Sequence, residues 1–110
     1  EASASASELV AGAVQDTGTA TIIGQVTLGK GTVQTWRELS NGGGIRLTIA
    51  RWLTPDRHWI HGAGITPDIL VEWESENYSE EFGTEADPQL QAALDHILSA
   101  NSESVQAATP

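Results

Sequence analysis

Two alternating runs flank a stretch through which the chain has to turn, and this arrangement constrains the fold more than any other feature. Thr32 to Leu39 alternates, Ser40-Asn41-Gly42-Gly43-Gly44 follows, and Ile45 to Leu53 alternates again with Ile45, Leu47 and Ile49 on one face. Period-two patterning sends successive side chains to opposite faces of a strand. Asn-Gly followed by more glycine supplies the positive φ angles of a tight reversal. The two runs are expected to pair as an antiparallel hairpin. An isolated hairpin is marginal in water, so its support has to come from elsewhere in the sequence.

The flanking segments offer that support. Leu9, Val10, Ala13 and Val14 form an apolar stripe at helical spacing, which predicts a helix over 7–16 ended by Gly18. Ser5-Ala6-Ser7-Glu8 fits a capping box, with Ser5 or Ser7 as cap. Thr19 to Ile23 is short and β-branched and reads as a strand; Gly24 to Gly31 reads as a loop. Thr54-Pro55-Asp56 breaks the hairpin's second strand. An irregular connection over 57–67 leads to a strand from Asp68 to Trp73. Asp87 is the expected N-cap of a last helix with Pro88 in its first position, and Leu90, Ala93, Leu94, Ile97 and Leu98 as its buried face. These boundaries give a core over 1–75, an acidic connection and helix of the same domain over 76–98, and a Ser-, Ala- and Asn-rich tail over 99–110 expected to be disordered. The chain contains no Met and opens on Glu1-Ala2-Ser3. Its first strand lacks an earlier partner, so it reads as a segment of something longer.

Charge and composition exclude several classes of function. A net charge of −10 repels a phosphate backbone and argues against nucleic acid as a partner. The absence of cysteine removes disulfides, thiolate metal sites and a Cys nucleophile. Apolar runs are too short to span a bilayer. Glu72, Glu74, Glu76, Glu80, Glu81, Glu85 and Asp87 form an acidic stretch. It lacks the Asp-x-Asp-x-Asp-Gly order of a calcium loop and reads as a solvated surface. His58 and His61 stand at ligand spacing, but a structural role beside Trp52 and Trp59 is preferred. No metal and no cofactor is expected.

The basic residues are more informative. Of five, four are arginines, and the one lysine, Lys30, lies in Gly29-Lys30-Gly31. A P-loop is excluded there, because that motif needs Ser or Thr directly after the lysine and a helix next, whereas a β-branched strand follows. Ser5, at the mouth of the first helix, is placed where main-chain N–H groups and the helix dipole favour negative charge. The N–H of Ala6 is the natural oxyanion donor, since the residue after a nucleophile commonly supplies it. Ser3 and Ser7 lie close by, and His58, His61, His96 or Lys30 could each serve as base. A lysine base needs burial to bring its pKa down from about 10.4. The flanking strands are expected to bury its stem, and Gln34 is within reach to hold the amine.

Four blocks then share one resemblance. Ser3-Ala4-Ser5-Ala6-Ser7-Glu8-Leu9-Val10-Ala11-Gly12-Ala13, Gly29-Lys30-Gly31-Thr32-Val33-Gln34, Leu47-Thr48-Ile49-Ala50-Arg51-Trp52-Leu53-Thr54-Pro55 and Gly64-Ile65-Thr66-Pro67-Asp68-Ile69 resemble, in order, the C-terminal processing (tail-specific) serine peptidase family. Asp87-Pro88-Gln89-Leu90 extends the likeness to about residue 98. Gln25-Val26-Thr27-Leu28 and Thr17-Gly18-Thr19 depart from it, and both concern the walls of the cleft.

The resemblance implies a ClpP/crotonase-like mixed α/β core, with residues 1–75 as the C-terminal part of the catalytic domain. It implies Ser5 as nucleophile, Lys30 as general base, Gln34 as its assistant, and an oxyanion hole of the Ala6 N–H with an upstream glycine. It implies protein substrates taken through their C-terminal tails, an upstream PDZ-type domain, and a place outside the cytoplasm: periplasm, cell envelope or secreted, with membrane association left open. A homo-oligomer is also left open. The isolated 110 residues are expected to be inactive. Two rival readings are an inactive relative that binds peptides or acts as a scaffold, and a histidine-based hydrolase.

Overall fold

The computed structural model describes residues 4–107, with side chains through Asn101; Ser3 lies outside the described residues. The order is α1 (Ala6–Asp16), β1 (Ile23–Gly24), β2 (Thr32–Glu38), β3 (Gly44–Arg51), β4 (Ile69–Leu70), α2 (Tyr78–Glu81) and α3 (Pro88–Ala107). The chain falls into two compact units. One is Val26–Asp68 with the chain up to Ile22; the other is Ile23–Gln25 with the chain from Ile69 onward. The mixed α/β class expected from the sequence is the class observed.

In the first unit β2 and β3 pair antiparallel from Thr32↔Arg51 to Glu38↔Gly44. The reversal is built as its residues require. Leu39 donates its N–H to the Gly43 carbonyl at 2.8 Å, and Gly42, at φ 82°, donates to the Leu39 carbonyl at 3.0 Å. The Asn41 side chain accepts from the Gly43 N–H at 3.0 Å. The register shifts between Val33 and Gln34, whose partners are Ala50 and Thr48, so Ile49 is the extra residue of a bulge. All of β3 is exposed, including Ile45, Leu47 and Ile49. The apolar face of the hairpin therefore has no cover among the described residues. What is buried in this unit lies elsewhere: Ile60 and Ile65, at 5% and 4% exposure, beside Gly12, Thr54 and the carboxylate of Glu8. Gly12 lets α1 approach closely, since a Cβ there would lie 2.8 Å from Thr54 Cγ2.

In the second unit β1 and β4 form a short parallel ladder, Ile23↔Ile69 and Gly24↔Leu70. The strands expected over 19–23 and 68–73 contract to these two pairs. Parallel pairing is weaker per residue and rarely persists without neighbouring strands. Trp73, Tyr78 and Phe82 stack in series, with ring centroids 4.4 and 5.7 Å apart, and support the short α2 that the acidic stretch did not predict. Asp87 caps α3 as expected. Its Oδ1 accepts from the N–H groups of Gln89 and Leu90, both at 2.9 Å, and its Oδ2 from Gly83 at 3.0 Å. The helix does not end near residue 98; it continues to Ala107 through residues expected to be disordered. No helix among the described residues is long and apolar enough to cross a membrane.

Candidate active site

Ser5 precedes α1 with φ 56° and ψ −110°, a conformation that non-glycine residues adopt at a cost of about 1–3 kcal/mol. A carboxylate holds it there. Glu8, one turn into the helix, accepts the Ser5 N–H at 2.8 Å, which is the acidic half of the expected capping box. The same carboxylate does more than cap. Its Oε2 also accepts the N–H of Lys30 at 2.9 Å, and its Oε1 accepts the N–H of Gly29 and the hydroxyl of Thr27, the latter at 2.6 Å. The residue is wholly buried. Burial pushes its carboxyl up, but donors from Thr27 and the main chain of Gly29, Lys30 and Ser5 outweigh this and hold it below its ordinary value. A buried charge needs such partners. Here the partners are the segments that carry Ser5 and Lys30.

The Gly29-Lys30-Gly31 segment is held from its other side through its own carbonyls, which accept N–H donors. Gly62 donates to the Gly29 carbonyl at 2.9 Å. The indole Nε1 of Trp52 donates to the Lys30 carbonyl at 3.1 Å, and that of Trp59 to the Gly31 carbonyl at 3.0 Å. Gly31 also accepts from the Trp52 main-chain N–H at 3.2 Å. The glycines are needed for this packing. At Gly29, with φ 80°, a Cβ would fall 2.7 Å from the Gly64 nitrogen and 2.9 Å from the Ile60 oxygen.

Ser5, Ala6, Lys30 and Gln34 all line one cavity of about 300 Å³, whose apolar walls include Leu9, Val33 and Trp52. Ala6 is the first residue of α1, so its N–H has no intrahelical acceptor. Gln34 donates to Thr48 Oγ1 at 3.4 Å, at the outer limit of a hydrogen bond. One expectation is corrected: Lys30 is exposed, and its amine makes no hydrogen bond to Ser5 among the described residues. The strands that were to bury its stem are themselves open on this side. β2 is largely exposed and β3 wholly so.

His58 and His61 are not among the residues that line this cavity. His61 stacks on Trp59, with ring centroids 5.4 Å apart. His58 Nδ1 lies 3.8 Å from Asp16 Oδ1. Hydrogen bonds from the Thr54 hydroxyl and the Asp56 N–H, with the nearby His58, hold the Asp16 carboxyl below its ordinary value. Arg51 lies over the Trp59 ring, 5.4 Å from its centroid. Among the described residues no three His, Asp or Glu side chains gather closely enough to hold a metal ion. Sequence reasoning missed the hub role of Glu8 and the indole donors. The capping-box spacing identified Glu8 as a local cap, and nothing in a linear pattern shows that the same oxygens reach residues 27–30.

Comparison with known proteins bears on this arrangement. The profile of peptidase family S41 matches residues 1–71. A carboxyl-terminal-processing protease of Synechocystis sp. is 48% identical over 95 residues, covering 86% of this chain and 22% of that protein. A probable CtpA-like serine protease of Staphylococcus epidermidis is 54% identical over 71 residues, 64% of this chain and 14% of that protein. Among solved structures, the photosystem II D1 C-terminal processing protease is similar with a TM-score of 0.58 and 38% identity, over 79% of this chain and 24% of that one. The chain thus spans less than a quarter of the length of these relatives. With the profile match over most of its length and relatives at this identity, the chain belongs to peptidase family S41, among the C-terminal processing proteases.

Proposed function

We propose that this chain carries the nucleophile and the base of a serine endopeptidase that cuts proteins near their C-termini. The observation that supports this best is the strained Ser5 at the mouth of α1, facing the same cavity as Lys30 and Gln34. Positive φ at a helix mouth presents a hydroxyl in the manner of a nucleophile elbow. Lys30, as the neutral amine, takes the Ser5 Oγ proton while Oγ attacks the scissile carbonyl carbon. The N–H of Ala6 and a donor from the rest of the enzyme hold the oxyanion. The Lys30 ammonium then protonates the leaving amine as the C–N bond breaks. Water, deprotonated by the same amine, hydrolyses the ester and restores Ser5. Gln34 orients the amine.

A lysine works as a base at neutral pH only when desolvated, and Lys30 is exposed in this chain. The rest of the enzyme, or the bound substrate, therefore covers it during turnover. The reading extends to a PDZ-type domain that captures tails and to an extracytoplasmic location.

The test is a fluorophosphonate labelling and tail-cleavage assay on the complete enzyme with Ser5→Ala, Lys30→Ala and Gln34→Ala. The first two should abolish cleavage and the third should slow it. Full cleavage by both Ser5→Ala and Lys30→Ala overturns the assignment; loss in His58→Ala or His61→Ala instead would favour a histidine base.

A further inference from the structure

We propose that Trp52 and Trp59 are positioning residues for the base: their indole N–H groups set the height and direction of the Lys30 backbone, and Trp52 also links that setting to the occupancy of the cleft. The inference rests on the Ser–Lys reading above.

Three observations carry it. First, consecutive carbonyls, those of Lys30 and Gly31, each accept an indole N–H, at 3.1 and 3.0 Å. A tryptophan N–H can only donate, so each bond fixes an acceptor in one direction. With the Glu8 carboxylate on the Lys30 N–H, both polar groups of the Lys30 backbone are committed. Second, this use of tryptophan is not the ordinary burial of a large apolar ring. Trp59 is 45% exposed, yet its indole is kept in place by Arg51 and His61, both 5.4 Å away, and by close packing on Gly31. A Cβ on Gly31 would sit 3.2 Å from Trp59 Cδ1 and 2.9 Å from the His61 nitrogen. Third, Trp52 lines the cavity that holds Ser5, so one residue both walls the cleft and holds the base's carbonyl. Substrate packed against the Trp52 ring restrains the indole and, through it, Lys30.

A donor lost behind the base alters how well the amine meets the Ser5 proton, not how tightly substrate docks. The complete enzyme is assayed as wild type, Trp52→Phe, Trp59→Phe, Trp52→Leu and Lys30→Ala, measuring kcat, KM, the rate of fluorophosphonate labelling and the melting temperature. Trp52→Phe and Trp59→Phe keep an aromatic ring and lose the donor. Each should lower kcat and the labelling rate about tenfold, the scale of one hydrogen bond, with KM within about twofold. Trp52→Leu should lower kcat similarly and also raise KM, because the wall is changed. If both Phe variants keep wild-type kcat and labelling rate while Lys30→Ala is inactive, the positioning role is overturned and the Ser–Lys reading stands. If Lys30→Ala is active, that reading fails and takes the inference with it. A fall in kcat that follows the melting temperature, and that Trp36→Phe at a more exposed hairpin site reproduces, also overturns it.

Discussion

Glu8 and Lys30, 22 residues apart in sequence, are joined by a hydrogen bond of 2.9 Å from the Lys30 N–H to the Glu8 carboxylate. Because the same carboxylate accepts the Ser5 N–H at 2.8 Å, the helix mouth and the lysine loop share one anchor. Charge-assisted bonds of this kind are about twice as strong as neutral ones. Two predictions concern this anchor, a third compares the glycine packed beside it with one in the hairpin turn, and a fourth concerns the second unit.

Glu8→Gln keeps the volume but turns one acceptor oxygen into a donor NH2 that faces donors. A buried donor left without an acceptor costs about 1–3 kcal/mol, and either orientation of the amide leaves two. The variant should therefore be destabilised by about 2–5 kcal/mol, measured by urea unfolding of the complete enzyme. Its Ser5 labelling should fall at urea concentrations where wild type is still folded. A variant with wild-type stability and labelling would show that the hub is dispensable.

The hub also predicts acid sensitivity. The folded Glu8 carboxyl lies below its ordinary value, so its contribution is fully present above the unfolded value of about 4.3 and is lost as pH falls through the lower folded one. Asp16, Asp68 and Asp87 are shifted the same way, each held down by hydrogen-bond donors. Melting temperature should be flat above about pH 5 and fall steeply below about pH 4. The slope should be shallower in Glu8→Gln, which has already lost one of the titrating groups. Equal slopes would count against Glu8 as a contributor.

Gly29 and Gly42 form a matched pair with φ of 80° and 82°. At Gly42 nothing lies within 4 Å of an added Cβ, whereas at Gly29 the nearest atoms are main-chain nitrogen and oxygen under 3 Å away. Gly42→Ala should cost about 1–2 kcal/mol, the conformational penalty alone. Gly29→Ala should cost more than that and displace Lys30. Urea midpoints give the first comparison and labelling rates the second; equal costs would mean the lysine loop tolerates the added methyl.

Asp87→Ala removes the acceptor for two N–H groups at the start of α3, those of Gln89 and Leu90, and for the Gly83 N–H in the preceding loop. A lost N-cap costs about 1 kcal/mol. Hydrogen exchange in the first turn of α3 should speed up about fivefold, with the amides of residues 29–31 unchanged, because the two lie in different units. Unchanged exchange at Leu90 would contradict the cap.

Local chemistry explains which parts of this structure could be read in advance. The hairpin, its Asn-Gly turn, the first helix and the Asp87 cap depend on residues within a few positions of one another, and each follows from period, turn preference or cap spacing. The Gly29-Lys30-Gly31 packing was readable as a need for close approach, although not what approaches. What escaped reading is long-range. Thr27, Gly29 and Lys30 meet Glu8 only because α1 and the loop are brought together by Thr54 and Ile65. Trp52 and Trp59 have the composition of core residues, and only the fold shows that they are used for their N–H groups. The burial of Lys30 could not be judged from its neighbours in sequence, because cover for a strand face comes from elements remote in the chain.

At positions 5, 29 and 30 the Glu8 carboxylate grips amide nitrogens and no side chain. The scaffold and the reactive groups are thus separately inherited: replacing the hydroxyl or the amine leaves every strut of the frame in place. Inert versions of such an enzyme should keep the shape of the working one, which makes them suited to capturing a bound polypeptide intact.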